Sequence, residues 1–227
     1  MFYWDWTMIL IVPGLLLGMW AQYKVKSAYA KYRSVGTGRG VTADAVARDL
    51  LARDGNTGVA IEPIAGELTD HYDPRANILR LSQGVYGNAS IAAIGIAAHE
   101  CGHAMQDRHG YAPLKLRSAL VPVVNIGSNL YFPIFLAGIL FSWQPLLYVG
   151  IACFALTLVF SLVTLPVEFN ASNRAIATLR QGGYVTDDEL RGVKAVLDAA
   201  ALTYVAAAIS SLLQLVRLLI LSRNRRD

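Results

Sequence analysis

The chain has 227 residues, 55% of them hydrophobic and 16% charged, with a formal net charge of +4 and a mean hydropathy of +0.41. Soluble domains carry about 25% charged residues, so this composition excludes an ordinary soluble globule and describes a membrane protein with one modest soluble portion. The small positive excess is unevenly placed and no basic stripe interleaves with aromatics, which speaks for membrane orientation and against a nucleic-acid partner. Its two cysteines, Cys101 and Cys153, are too few for a disulfide framework and fit a reducing compartment.

In chain order, residues 6–23 are an uncharged apolar run with Trp4 and Trp6 at one end and Trp20 and Tyr23 at the other, the pattern of one spanning helix with aromatic belts. Asp5 precedes the run and Lys24, Lys26, Lys31 and Arg33 follow it, so an uncleaved anchor with its N terminus outside is expected. Residues 34–40 are a Gly-rich linker. Thr42 then caps an amphipathic helix over 43–54, with Val46, Leu50 and Leu51 on one side and Gly55 as its stop. Residues 58–64, 67–70 and 77–82 read as short strands of a small antiparallel sheet. The last of these precedes the most informative helix, and Asn77, Leu79 and Leu81 either offer a free edge to an extended substrate or form a plain sheet edge.

That helix opens at Asn88 or Ser90 as N-cap and carries His99-Glu100-Cys101-Gly102-His103, an H-E-x-x-H pattern. Residues four apart share a helical face, so His99 and His103 can both present a ring nitrogen to one tetrahedral zinc ion. Glu100 stands where such motifs place a general base for zinc-assisted hydrolysis. Cys101 points away from that face and reads as a packed thiol. The apolar stretch 91–98 is too short to span a bilayer.

Residues 118–143 and 145–165 are each long and apolar enough to cross, and form a membrane hairpin. Asn125, Ser128 and Asn129 share one face of the first span and are expected to bond to a neighbouring helix. Pro166 ends or kinks the second span, with helix continuing over 167–179 to Gly182-Gly183. Thr186-Asp187-Asp188-Glu189 is a capping box that starts a last apolar helix, either a fourth span or an interfacial one. The expected division is an anchor over 1–23, a soluble α+β portion over 24–117, a transmembrane hairpin over 118–165, a helical segment over 166–200 and a C-terminal helix with a basic tail over 201–227. Lys and Arg concentrate in 24–117 and 166–200, which predicts a multi-pass protein of the cell membrane with its catalytic portion in the cytoplasm. Arg223, Arg225 and Arg226 oppose this if the last helix crosses.

A third metal ligand has two candidates. His109 has the histidine spacing of the metzincin pattern, but Gln106 occupies the place where that pattern needs a glycine for a sharp turn. Glu168 is a lone carboxylate where the third span emerges. His71 and Asp73, between expected strands, can either steady a transition-state oxyanion or a metal ligand, or cap a turn.

Several separated blocks, in order, carry a family resemblance: Asp70-His71-Tyr72-Asp73-Pro74-Arg75, Leu79-Arg80-Leu81-Ser82, the run from Ile94 to Ala104, and Leu165-Pro166-Val167-Glu168-Phe169-Asn170-Ala171-Ser172. They resemble the YugP-type neutral zinc metallopeptidases, membrane gluzincins similar in plan to CAAX prenyl proteases and heat-shock membrane proteases. The resemblance spans almost the whole chain. It implies a membrane helical bundle of about four spans with a small α+β, gluzincin-like portion. It also implies His99, His103 and Glu168 as ligands of one catalytic Zn2+, with Glu100 as base. In the wider gluzincin class an Asp four residues after the glutamate supports a ligand histidine, and Ser172 stands at that place.

The resulting expectation is a membrane-anchored zinc metalloendopeptidase acting on a protein or peptide within or beside the lipid bilayer. Two alternatives stand beside it. A site-2-type intramembrane protease needs a second motif such as N-x-P-D-G, which the sequence lacks. The other is a non-enzymatic membrane scaffold with a structural zinc site.

Overall fold

The structure is a computed structural model, and it describes residues 6–223. The roles expected of Trp4, Asp5, Arg225 and Arg226 lie outside these residues. A 3-10 turn at Trp6–Leu10 leads into α1 (Val12–Tyr32), followed by α2 (Ala43–Arg53), β1 (Ala60–Ile64), β2 (His71–Asp73), β3 (Ile78–Ser82), α3 (Ile91–Arg108), α4 (Ala112–Leu140), α5 (Gln144–Gly182) and α6 (Asp187–Arg223). Four helical segments, Trp6–Tyr32, Ala112–Leu140, Gln144–Gly182 and Asp187–Arg223, are long and apolar enough to cross a membrane. The protein is a multi-pass membrane protein: a helical bundle with a small α+β portion.

The chain forms two compact units. The first comprises Met1–Gln22, Lys115–Leu165 and Leu202–Asp227. Its inner contacts join Phe135, Leu147, Ile151, Phe154 and Leu218, while Leu16, Ile126, Phe132 and Leu219 point outward, as lipid-facing side chains do. Asn125, Ser128 and Asn129 do not make the expected interhelical bonds among the described residues. They lie on the exposed side of α4, because that helix packs through Val124, Gly127, Phe135 and Gly138, whose small or apolar surfaces admit a neighbour closely.

The second unit comprises Tyr23–Leu114 and Pro166–Ala201. Its core is built from Val46, Leu50 and Leu51 of α2, Leu79 and Leu81 of β3, Ile94, Ala97, Ala98 and Cys101 of α3, and Leu179, Val193 and Leu197 of α5 and α6. Burying a leucine of this kind stabilises by about 1.5–3 kcal/mol. Helix starts are set by local chemistry. Ser90 accepts the Ala93 N–H at the head of α3. Thr186 and Glu189 exchange hydrogen bonds ahead of α6, the reciprocal arrangement of a capping box. The end of α3 is equally determined: Gly110, at φ +64, lets its own N–H reach Asp107 O and the Tyr111 N–H reach Gln106 O. That is the left-handed C-terminal motif glycine favours.

The sheet is mixed, with order β1-β3-β2: β1 runs parallel to β3, and β2 pairs antiparallel on its other side. This corrects two expectations. The sheet is not wholly antiparallel, and β3 has no free edge, so Asn77, Leu79 and Leu81 cannot receive an added strand along it. Leu79 and Leu81 are fully buried, and Asn77 precedes the strand at φ +54. The cause is the short turn between β2 and β3, with Asn77 in the left-handed region that asparagine tolerates. It folds β2 directly back on β3 and leaves β1 the opposite side. The second strand also begins later than the 67–70 expected, at His71.

Candidate metal centre

The site lies within the second unit. Helix α3 carries His99, Glu100 and His103, and α5 carries Glu168. Glu168 Oε2 lies 3.3 Å from His99 Nε2 and 3.6 Å from His103 Nε2. The two imidazoles stand edge to face with centroids 4.8 Å apart, and the three potential ligand atoms all lie within 4.8 Å of one another. Only 3% of the Glu168 side chain is exposed, against 15% for His99 and 11% for His103.

One close approach makes this geometry possible. A Cβ on Gly102 would stand 2.6 Å from Ala171 O, so α3 and α5 meet backbone to backbone one residue before His103 and three after Glu168. Each imidazole is anchored through its other nitrogen. Ser172 Oγ lies 3.1 Å from His99 Nδ1, and Gln106 Oε1 lies 3.0 Å from His103 Nδ1. Both Nε2 atoms are thereby turned towards Glu168. Burial alone would lower the His103 pKa, but hydrogen bonding to Glu168, the charges of Glu100 and Glu168, and the Gln106 oxygen outweigh it and raise the pKa. The surroundings of this ring favour positive charge.

The donor set fits zinc. Bonds of about 2.0–2.2 Å to nitrogen and oxygen give a tetrahedron whose edges are about 3.3–3.6 Å, and the two His–Glu separations of 3.3 and 3.6 Å match that edge. Two imidazoles and one carboxylate would supply three of the four bonds of a tetrahedral ion.

His109 is not part of this group. Gln106 continues α3 without a turn, His109 caps the helix end, and its Nε2 lies 2.9 Å from Asp54 Oδ1. His71 and Asp73 lie on β2. Asp73 accepts the Arg75 and Ala76 N–H groups and Arg80 Nη1, contacts that hold its carboxyl below the usual range, with the Arg75 N–H foremost. His71 sits 2.9 Å from Thr69 O through Nδ1 and 3.4 Å from Arg80 through Nε2. Cys101 is fully buried against Ala47, and burial pushes its thiol pKa up.

Two participants escaped the sequence. Tyr72 of β2 donates its backbone N–H to Glu100 Oε2 at 3.1 Å, tying the sheet to the carboxylate beside the cluster. Its hydroxyl lies 3.1 Å from Asp107 Oδ2, and burial together with that carboxylate raises the phenol pKa. Ahead of β2, Asp70 accepts the Ser82 N–H and Oγ–H, and burial raises its pKa against those bonds. Gln106, fully buried, is the other. It stands three residues beyond His103 on the same helical face, and that spacing was the available signal.

A membrane helical bundle with a small α+β portion and a largely buried His-His-Glu group able to hold a metal ion is the class this structure defines. The chain belongs to the family described as "Putative neutral zinc metallopeptidase", which matches residues 7–223. It is similar to the "Putative membrane protease YugP" of Bacillus subtilis (strain 168), with 45% identity over 218 residues, 96% of this chain and 97% of that relative. No solved structure matches the chain.

Proposed function

We propose that the protein is a membrane-anchored zinc metalloendopeptidase in which His99, His103 and Glu168 hold one zinc ion and Glu100 is the general base. The observation that carries this reading is the Glu168 carboxylate, 3.3 and 3.6 Å from the two Nε2 atoms. Zinc held there supplies Lewis acidity, making a water nucleophilic near neutral pH and polarising the scissile carbonyl. Glu100 takes the proton of the attacking water and delivers it to the leaving amine. The Tyr72 N–H donates to Glu100 Oε2 and holds this carboxylate in place. Ser172 and Gln106 keep the imidazoles oriented, and the burial of Glu168 excludes competing water from its carboxylate. An extended peptide is assigned to the side of β2, an edge strand that lies beside Glu100.

The substrate in this reading is a protein or peptide, and we assign the second unit to the cytoplasm, an orientation that the Lys and Arg distribution supports. A cysteine replacing exposed Glu62 should resist an impermeant maleimide in intact cells; labelling there reverses the assigned orientation. The test of activity uses purified full-length protein and a quenched fluorescent peptide or casein. Wild type should cleave, Glu100→Gln should lose cleavage while keeping zinc, and Glu168→Ala should lose zinc. Full zinc retention in Glu168→Ala, or undiminished cleavage by Glu100→Gln, overturns the reading.

A further inference from the structure

Gln106 has no place in the reading above beyond orientation of a ring, yet its surroundings determine more than that. The side chain is fully buried, and its amide meets three partners: His103 Nδ1 at 3.0 Å from Oε1, and Val167 O at 2.8 Å and Asn170 Oδ1 at 3.0 Å from Nε2. The direction of this amide is fixed by groups that have no choice. A backbone carbonyl only accepts, so the atom of Gln106 facing Val167 O must be the donor nitrogen. A guanidinium only donates, and Arg174 Nε lies 2.8 Å from Asn170 Oδ1, so the Asn170 atom that Gln106 meets is an acceptor too. Two independent partners therefore leave Gln106 Oε1 to face the imidazole. An amide oxygen cannot donate, so His103 Nδ1 must carry the hydrogen, and in the neutral ring that binds a metal the lone pair is at Nε2, the nitrogen 3.6 Å from Glu168.

We propose that Gln106 is a positioning residue that sets the tautomer of His103, and that the Val167 carbonyl on the ligand-bearing stretch of α5 dictates its polarity. This inference rests on the zinc-peptidase reading. The stretch of α5 that supplies Glu168 also supplies Val167 and Asn170, so bringing up the carboxylate and preparing the second imidazole are one event. A mere packing role requires only the volume of the side chain. The tautomer role requires an acceptor opposite Nδ1.

Two variants of the full chain in detergent separate these roles, read by zinc affinity in competition with a chromophoric chelator and by the unfolding temperature of the zinc-free protein. Gln106→Met keeps volume and removes every hydrogen bond; its zinc affinity should fall about 10–100-fold, the usual loss when a ligand's hydrogen-bond partner is removed. Gln106→Glu keeps an acceptor opposite Nδ1 but loses the donors to Val167 O and Asn170. It should unfold at a lower temperature when zinc-free and still bind zinc at least as tightly as wild type. If Gln106→Met yields no folded protein, the Gln106→Glu result decides alone. Wild-type affinity in Gln106→Met, or weakened zinc binding in folded Gln106→Glu, overturns the proposal and leaves the zinc reading standing. Failure of the wild type to bind zinc overturns both.

Discussion

Replacing Gly102 by alanine tests the contact on which the metal centre is built. The added methyl would lie 2.6 Å from Ala171 O and 3.1 Å from Ala171 C and Cα, where ordinary contact begins near 3.4 Å. The obstacle is backbone in the middle of α5, so no rotamer change relieves it and the helices must part by roughly 0.5–1 Å. Two effects oppose each other. Alanine is favoured over glycine in a helix interior by about 1 kcal/mol, whereas overpacking a tight interior costs about 1–3 kcal/mol. The net change in zinc-free stability should therefore be a loss of up to about 2 kcal/mol. Metal binding should be weakened as well. Separating α3 from α5 by that amount stretches the 3.3 and 3.6 Å spacings beyond the tetrahedral edge and lengthens the 3.1 Å contact of Ser172 with His99.

The assay is zinc affinity by chelator competition, paired with thermal unfolding of metal-free protein. Gly102→Ala should bind zinc at least about 10-fold more weakly and unfold earlier than wild type. A variant that unfolds later, as relief of an unconstrained helix glycine would give, and that binds zinc normally, would refute the close-approach argument.

Ser172→Ala should weaken zinc binding by about 10-fold, and Ser172→Asp should strengthen it above wild type, because a carboxylate is a better acceptor for the imidazole N–H than a hydroxyl; the same chelator titration reads both. His109→Ala should keep full zinc content by metal analysis, since its ring is engaged by Asp54. Asp44→Asn should destabilise by about 1–2 kcal/mol in thermal unfolding at neutral pH, through weakened bonds to the Gly87 N–H and Arg48. Burial alone would raise the Asp44 pKa, but bonding from Thr42, Arg48 and Gly87 holds it below the usual value. The folded-state pKa being depressed, this stabilisation is complete above about pH 4 and is lost as pH falls through the folded value, so the gap between Asp44→Asn and wild type should close in acid.

What the sequence disclosed and what it withheld divide by range. His99, Glu100 and His103 are related by helical geometry alone, and the capping residues Ser90, Thr186 and Glu189 act on N–H groups within a turn of themselves, so spacing suffices to read them. Glu168 is another matter: nothing local ties a carboxylate on one helix to imidazoles on another, and only the missing glycine at Gln106 and a family resemblance favour it over His109. Sheet order is a third case. Alternation along β3 reveals that Leu79 and Leu81 face a core, but the pattern is blind to which strand lies on either side.

The glycine at 102 shows why the boundary falls there. Within the helix it is a defect, a residue that weakens α3 by about 1 kcal/mol relative to alanine. Its justification lies entirely in another element, where Ala171 O occupies the space a Cβ would need. Gln106 has the same logic: an amide in an apolar helix is unfavourable until Val167 O, Asn170 and His103 arrive to satisfy it. A residue that is wrong for its own segment marks a place where a distant segment must come: Gly95 meets Val193 of α6, and Gly102 and Gln106 meet the same stretch of α5, the one that delivers Glu168.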